Sequence, residues 1–270
     1  MSASDRPDAL ERLELGLIQA ELVWQDAAAN RAHLECLMDQ LPGRHLYVLP
    51  ETFSTGFLGD RGLPAEDLDG PTLAWMREQA RARSAALAGS LVIESDGERS
   101  NRFLVVDEAG IQGQYDKRHL FGFGGEDQRY RAGDRRVALD WRGWRIDLQV
   151  CFDLRFPVWC RNDRGFDVQL FVANWPAPRV AAWRALLQAR AIENQAYVIG
   201  INRTGRDGND VAYPGKSSAW DMAGQCLAEL GDRPGVAGVT LERSVLDDYR
   251  RQFPFLAEAD RFEMPANLSG

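Results

Sequence analysis

The sequence predicts an α/β fold with its site on one edge of a sheet, and three observations carry that prediction. Short apolar runs such as Leu46 to Leu49 alternate along the chain with longer stretches of helical periodicity. Val168 to Ala173 is apolar almost without interruption, the pattern of a strand buried on both faces. Trp144 to Pro157, WRIDLQVCFDLRFP, opens as a strand, with Ile146, Leu148 and Val150 alternating against Asp147 and Gln149, then reaches Cys151 and turns into polar residues. Such a turn holds a thiol at the carboxyl edge of a sheet, where open α/β proteins place their sites. The competing reading is a core cysteine, because free Cys is among the most buried residue types.

Taken in order, the first strand is Leu13 to Gln19, followed by a helix from Ala27 to Leu41 with Leu34, Leu37, Met38 and Leu41 on one stripe. Cys36 lies off the centre of that stripe and is expected to pack. Leu46 to Leu49 is the next strand, stopped by Pro50. Gly70-Pro71-Thr72 starts a helix running to Ala86. Leu87 to Glu94 and Asn101 to Val106 are strands joined through the turn Ser95-Asp96-Gly97, and Ile111 to Tyr115 continues the sheet. Beyond Cys151, Phe156 to Arg164 reads as a short helix with Cys160 packing on it. Val180 to Gln195 is a helix with Trp183, Leu186, Leu187 and Ile192 inward, and Ala196 to Asn202 a strand followed by a polar loop to Asp210. Ser217 to Trp220, Cys226 to Leu230 and Gly238 to Leu241 read as three antiparallel strands. Ser244 to Gln252 is a last helix before an extended tail after Pro254.

Composition narrows the class. With 270 residues, 45% of them hydrophobic, the chain can build one sizeable core, and with no repeat or composition shift a single domain over 1–270 is expected. The formal charge of −8 is spread along the chain, which argues against nucleic acid or an anionic membrane as the partner. No apolar run approaches the roughly 18 residues of a membrane span. The start, MSASDRPDALERLE, is too polar for a signal peptide, and the four cysteines show no metal-ligand spacing. Reduced thiols in the cytoplasm are the expectation.

A thiol at Cys151 needs a base, or a cation that lowers its pKa. Glu51 stands just past the strand Leu46 to Leu49, among Thr52, Phe53, Phe57 and Leu58, an apolar setting that raises a carboxylate pKa and suits a general base. Lys117 closes the strand ending at Tyr115 and precedes a glycine-rich loop, Phe121 to Gly133, of the kind that covers sites. Glu126 lies in that loop. For Glu51 and Lys117 the competing reading is a solvated surface charge. His119, one of three histidines, offers an alternative Cys-His pair. An α/β sheet gathers strand ends on one edge, so Glu51, Lys117 and Cys151 can converge.

The segments LPETFSTGF, YDKRHLF and VCFDLRFP, with VANWPAPR and ARAIENQAYV, resemble the motifs of the nitrilase superfamily, the carbon–nitrogen hydrolases with a Glu-Lys-Cys triad. The omega-amidase branch, which hydrolyses the side-chain amide of 2-oxo acids, is the most similar. The resemblance implies a four-layer αββα sandwich, a homodimer or larger homo-oligomer, a small-molecule amide substrate such as 2-oxoglutaramate or 2-oxosuccinamate, and no metal or organic cofactor. It makes Glu51 the general base, Lys117 the oxyanion-stabilising cation and Cys151 the nucleophile, with Glu126 as the family's second glutamate. The backbone N–H of Phe152 is the second oxyanion donor. A carboxylate substrate needs a cation, for which Arg155 is the candidate, the alternative being a structural ion pair with Asp153 or another acid. Trp175 and Phe121 are candidate pocket walls, with core packing the competing role for Phe121. Arg190, Glu193 and Asn194 are expected to tie helix to sheet. An amidase for another amide or an N-carbamoyl compound, and a non-catalytic binding protein of the same fold, remain the alternatives.

Overall fold

The computed structural model describes residues 9–57 and 65–260. Chain order is β1 (Arg12–Gln19), α1 (Ala27–Asp39), β2 (Leu46–Val48), α2 (Pro71–Arg83), β3 (Ala86–Ser95), β4 (Glu98–Asp107), β5 (Gly110–Asp116), β6 (Ala138–Trp141), β7 (Trp144–Val150), β8 (Val168–Ala173), α3 (Val180–Asn194) and β9 (Tyr197–Asn202). It continues with β10 (Thr204–Arg206), β11 (Ala212–Pro214), β12 (Ser218–Trp220), β13 (Cys226–Glu229), β14 (Gly235–Glu242) and α4 (Arg243–Gln252). The helix starts follow local chemistry. Asp26 accepts a hydrogen bond from the Ala29 N–H at 2.9 Å, and Pro71 occupies the first turn of α2, where a missing N–H costs nothing.

Two six-stranded sheets form, in the orders β14-β1-β2-β3-β4-β5 and β13-β12-β9-β8-β7-β6. Strands β1 to β3 run parallel, as do β7 to β9, and antiparallel strands flank each set. Leu13, Leu15 and Leu17 of β1 share one apolar core with Ile146, Leu148 and Val150 of β7, so the sheets stack face to face. Helices α1 and α2 cover the outer face of the first sheet through Leu34, Met38, Leu73 and Met76. Helix α3 covers the second through Trp183, Leu187 and Ala191. The expected α/β fold in four layers is present.

Several expectations need correction. Phe156 to Arg164 is not helical; a single 3₁₀ turn spans Cys151–Arg155 and the chain then runs through turns. The Asn162 side chain accepts from the Phe166 N–H and donates to its carbonyl, both at 2.9 Å, an alternative that competes with helix formation. Of the three strands expected near the end, β12 and β13 pair with each other, but β14 joins the other sheet. There it lies antiparallel to β1, with Val239 and Leu241 in the inter-sheet core, and so covers an edge that would otherwise be open. The polar loop to Asp210 contains the hairpin β10–β11, and β6 was not anticipated. Ile192 is half exposed because it follows Ala191, and each residue turns the helix by about 100° away from the buried stripe. Leu186 is only partly buried, Cys36 is exposed, and Phe255–Glu258 forms a turn where an extended tail was expected.

The alternation in β7 also misleads. Asp147 and Gln149 face away from the inter-sheet core yet are buried, because the segment after Cys151 and helix α3 cover them. Gln149 and Gln169 each donate to Asp147 Oδ2, at 2.8 and 2.9 Å, but burial still pushes the carboxyl up to about 7. A carboxyl raised in the folded state contributes stability that is complete below its unfolded value and is lost as pH rises through 7. The slope is about 1.4 kcal/mol per pH unit between those limits. Asp147→Asn keeps an acceptor for both glutamines, so urea midpoints measured at pH 5 and pH 8 should lie closer together in the variant than in the native protein. Equal differences in the two proteins would show that Asp147 is ionised throughout.

Candidate active site

Three strand ends meet between the sheets. Glu51 lies in the turn after β2, and the next residue, Thr52, takes φ 43°, held by its N–H on Ser90 Oγ at 2.9 Å. Lys117 follows β5 directly and donates its N–H to the Asn101 carbonyl of β4 at 2.9 Å. Cys151 follows β7 at φ 46°, a left-handed conformation that a side chain with a Cβ adopts only under constraint. The constraint is Asp153, whose carboxylate accepts from the Val150 N–H at 3.0 Å, the Tyr115 hydroxyl at 2.8 Å and the His119 N–H at 2.9 Å. The glycine-rich loop closes back onto Lys117 through the Gly133 N–H, 2.9 Å from the Lys117 carbonyl. A Cβ on Gly133 would fall 2.1 Å from the Asp116 carbonyl oxygen, so only glycine passes there.

The lysine is fully enclosed, and so are two carboxylates around it. Lys117 Nζ lies 2.9 Å from Glu51 Oε1, and 3.0 and 2.8 Å from the two Glu126 oxygens. Glu51 Oε2 accepts from the Asn174 N–H at 2.7 Å and from Asn174 Nδ2 at 3.2 Å. Asn101 Nδ2 donates to Oε1 of both glutamates. Glu126 also takes the Phe121 N–H at 2.7 Å, which fixes the covering loop. Glu51 acts electrostatically on the Cys151 thiol, whose sulfur lies 4.0 Å from the Asn174 carbonyl oxygen. Burial alone would depress Lys117, but Glu126 and Glu51 outweigh it and hold the ammonium well above its ordinary value. Burial pushes Glu126 up against the pull of Lys117. Burial, reinforced by Glu51 and opposed by Lys117, pushes the Cys151 thiol well up.

Cys151 opens onto a cavity of about 570 Å³. Its walls are largely apolar, with Phe57, Phe121, Phe152, Trp175 and Tyr213 among them, and two guanidinium groups face it. Arg155 lies over the Trp175 ring at 4.9 Å and Arg179 over the Phe121 ring at 5.1 Å. Among the described residues neither pairs with a carboxylate. The acids of the opposite wall are engaged: Asp207 accepts the Tyr213 hydroxyl at 2.8 Å, and Asp210 pairs with Arg206.

The carbon-nitrogen hydrolase family model matches residues 14–251, which is most of the chain. The chain belongs to the carbon-nitrogen hydrolase family, within the nitrilase superfamily. It is 43% identical over 253 residues to the omega-amidase YafV of Escherichia coli K12, covering 93% of this chain and 98% of that one. It is 31% identical over 212 residues to the 2-oxoglutaramate amidase of Bacillus subtilis, covering 77% of this chain and 82% of that one. Among solved structures, the CN-hydrolase superfamily protein XC1258 of Xanthomonas campestris, which carries an arsenic adduct in its active site, superposes with a TM-score of 0.92 at 43% identity over 95% of this chain and all of that one. The protein is therefore a hydrolase acting on amide carbon–nitrogen bonds.

In this carbon-nitrogen hydrolase, Glu51, Lys117 and Cys151 stand together as the strand-end pattern suggested, with Glu126 of the covering loop beside them, although Leu58, grouped with the Glu51 loop, lies outside the described residues. Trp175 and Phe121 both line the cavity. Asp153, offered as an ion-pair partner for Arg155, is taken by Val150, Tyr115 and His119 instead. His119 faces Asp153 through Nδ1 at 2.8 Å and stacks on Phe156 at 3.7 Å. Arg190 and Asn194 hold the carbonyls of Leu154 and Cys160, tying α3 to the segment after Cys151 as well as to the sheet. Asn101, Asn174 and Arg179 were not anticipated; the signal for the two asparagines was an amide inside or directly after an apolar strand. No group of acids, histidines and cysteines among the described residues is arranged to hold a metal, and no helix among them is long and apolar enough to cross a membrane.

A raised thiol pKa means that Cys151 is protonated at neutral pH in the resting site. Its alkylation by iodoacetamide, followed at that residue by mass spectrometry, should be slow at pH 7 and should keep climbing beyond the pH where an ordinary cysteine levels off. A plateau already reached at neutral pH would reveal a preformed thiolate and remove the need for a base.

Proposed function

We propose that the protein is an omega-amidase that releases ammonia from the side-chain amide of small 2-oxo acids, of the 2-oxoglutaramate and 2-oxosuccinamate type, through a thioester on Cys151. The observation that carries this reading is a carboxylate-bearing site beneath the thiol combined with a guanidinium, Arg155, that has no acidic partner beside it in the cavity. The similarity to an omega-amidase and a 2-oxoglutaramate amidase supports it. The enzyme is proposed to work in the cytoplasm as a homodimer or larger assembly.

In this mechanism Glu51 takes the thiol proton as sulfur attacks the amide carbon. Charge develops on the carbonyl oxygen. Lys117 can share one N–H between the two Glu126 oxygens, give another to Glu51 and keep the third for that oxygen. The Phe152 N–H, in the first turn of the Cys151–Arg155 segment and without a partner inside that turn, is the second donor. Glu51 then protonates the departing nitrogen, which leaves as ammonia; without that proton the thiolate would be the better leaving group and the intermediate would revert. Water deprotonated by Glu51 releases the acid. Glu126 holds Lys117 charged and in place. Arg155 binds the substrate carboxylate and Arg179 adds positive potential at the same cavity.

The deciding experiment is ammonia release from 2-oxoglutaramate and 2-oxosuccinamate against glutamine and asparagine. Higher kcat/KM for the 2-oxo acids is expected; preference for neutral or N-carbamoyl amides would point to a different amidase. Cys151→Ala and Cys151→Ser should abolish turnover with the fold intact, and Lys117→Ala should be similarly dead. Glu51→Gln should slow acylation and deacylation together, and His119→Ala should remain active. A dead His119→Ala beside a live Glu51→Gln would reinstate the Cys-His pair.

The Arg155 contact is a charge-assisted hydrogen bond worth about 1.5–3 kcal/mol. Arg155→Ala should therefore raise KM about 10-fold or more for a carboxylate substrate and leave kcat less changed. Arg155→Lys should recover only part of the affinity, since it keeps the charge and loses the two-pronged geometry. Equal losses on a carboxylate amide and on a neutral amide of the same length would show that the carboxylate is read elsewhere.

A further inference from the structure

Asn101 stands in β4, enclosed to 1% exposure on a strand whose following residues Phe103 and Val105 are core. Its backbone carbonyl receives the Lys117 N–H, so its side chain is placed by the same ladder that places the lysine. Nδ2 lies 2.8 Å from Glu51 Oε1 and 3.2 Å from Glu126 Oε1. A primary amide has two N–H groups, and here each reaches a different carboxylate. The same two oxygens also receive Lys117 Nζ, at 2.9 and 3.0 Å. A cation and a neutral amide thus form two parallel bridges between the same pair of acids. The Asn101 Oδ1 atom is buried and has no partner among the described residues. An unpaired buried acceptor is unfavourable, so the side chain is retained for its donor end.

The charge count explains why a second bridge is needed. Two carboxylates and one ammonium leave the cluster at −1, and two acids that share a site drive one of them to bind a proton. A protonated Glu51 cannot act as a base. Arg129, a part-exposed cation, acts on Tyr130, and three uncharged groups stand around the pair. Tyr130 is neutral, with burial and then Glu126 pushing its hydroxyl up to about 12; the Cys151 thiol is protonated; and burial and Asp207 raise Tyr213. Glu51 has a further donor in Asn174, whereas Glu126 depends on Lys117, Asn101 and the Phe121 N–H.

Resting on the amidase reading above, we propose that Asn101 is a positioning residue that gives one amide proton to each of Glu51 and Glu126, keeping both ionised side by side so that Glu51 is available as a base at neutral pH. Asn101 touches neither the thiol nor the substrate; it acts through the two carboxylates.

The test is the pH profile. In Asn101→Leu, close to the native shape but without donors, the acid limb of kcat/KM should move up by about one pH unit, the size expected when a charged acceptor loses one hydrogen bond. Asn101→Ser, with a single donor, should shift it less, and Asn101→Asp, which adds a third acid, should shift it more. A second readout needs no turnover: infrared titration of the carboxylic-acid band that is missing from the Glu126→Gln or Glu51→Gln protein. In Asn101→Leu that band should persist to higher pH than in the native protein. If Asn101→Leu does not fold, the comparison is made with Asn101→Ser. A uniform fall in rate with an unmoved acid limb, or an unmoved band, overturns the proposal and leaves Asn101 a packing residue. If the native protein cleaves no amide in the panel, the functional reading fails, while the infrared titration still decides whether Asn101 sets the protonation of the pair.

Discussion

Lys117 carries a positive charge in a place closed to water, and much of the site follows from making that tolerable. An isolated ammonium moved into such surroundings would lose several kcal/mol of hydration and would shed its proton. Two carboxylates within 3.0 Å reverse the balance and keep it charged. They come from different parts of the chain, Glu51 from the turn after β2 and Glu126 from the covering loop, so pairing the charge also folds that loop. The Phe121 and Tyr130 N–H groups both return to Glu126, one to its carboxylate and one to its carbonyl. Removing one partner of such a buried pair typically costs about 3–5 kcal/mol, so the proposed catalytic roles and the structural ones fall on the same atoms.

The two sheets are locked to each other at this edge by polar contacts running in opposite directions. Glu51, from the first sheet, reaches Asn174 at the end of β8 in the second. Asp153, from the second sheet, reaches Tyr115 and His119 at the end of β5 in the first. Apolar contacts between the stacked faces supply most of the attraction but are not directional. The reciprocal carboxylate contacts specify register, and they hold Cys151 in its left-handed turn. A cysteine released into an ordinary β conformation would turn its thiol away from Glu51.

How much of this was legible in the sequence depended on whether local pattern or distant partners decided the outcome. Strand ends were readable because Pro50 and the polar run after Cys151 break the apolar pattern on the spot. The convergence of Glu51, Lys117 and Cys151 follows from strand ends sharing an edge. Phe156 to Arg164 misled because Asn162 and Asn194 satisfy the backbone there, and neither contact has a local signature. The sheet joined by β14 was invisible for the same reason, since its partner β1 lies more than 200 residues away. Asp147 and Gln149 alternate with apolar residues as in a strand, and nothing local shows that a long-range cover of helix and loop buries them. The asparagines were passed over because a strand with one polar residue reads as an imperfect strand, whereas a buried amide with nowhere to donate would be too costly to keep.

The cavity shows the opposite strategy from the cluster behind it. Lys117 has its charge balanced by two acids and one N–H left for the carbonyl oxygen, so it is poorly suited to bind a substrate carboxylate as well. Arg155 and Arg179 are held on aromatic faces instead, at 4.9 and 5.1 Å. A ring face orients a guanidinium for about 0.5–1 kcal/mol at an exposed site, and it leaves the N–H groups free in the guanidinium plane. Under the proposed function, an incoming carboxylate would gain two charge-assisted hydrogen bonds without breaking an ion pair. The acids that share the wall, Asp207 and Asp210, are occupied by Tyr213 and Arg206 and so do not quench these cations. The same molecule therefore uses acid-paired charge around the enclosed lysine and aromatic-stacked charge at the cavity, as the proposed substrate class requires.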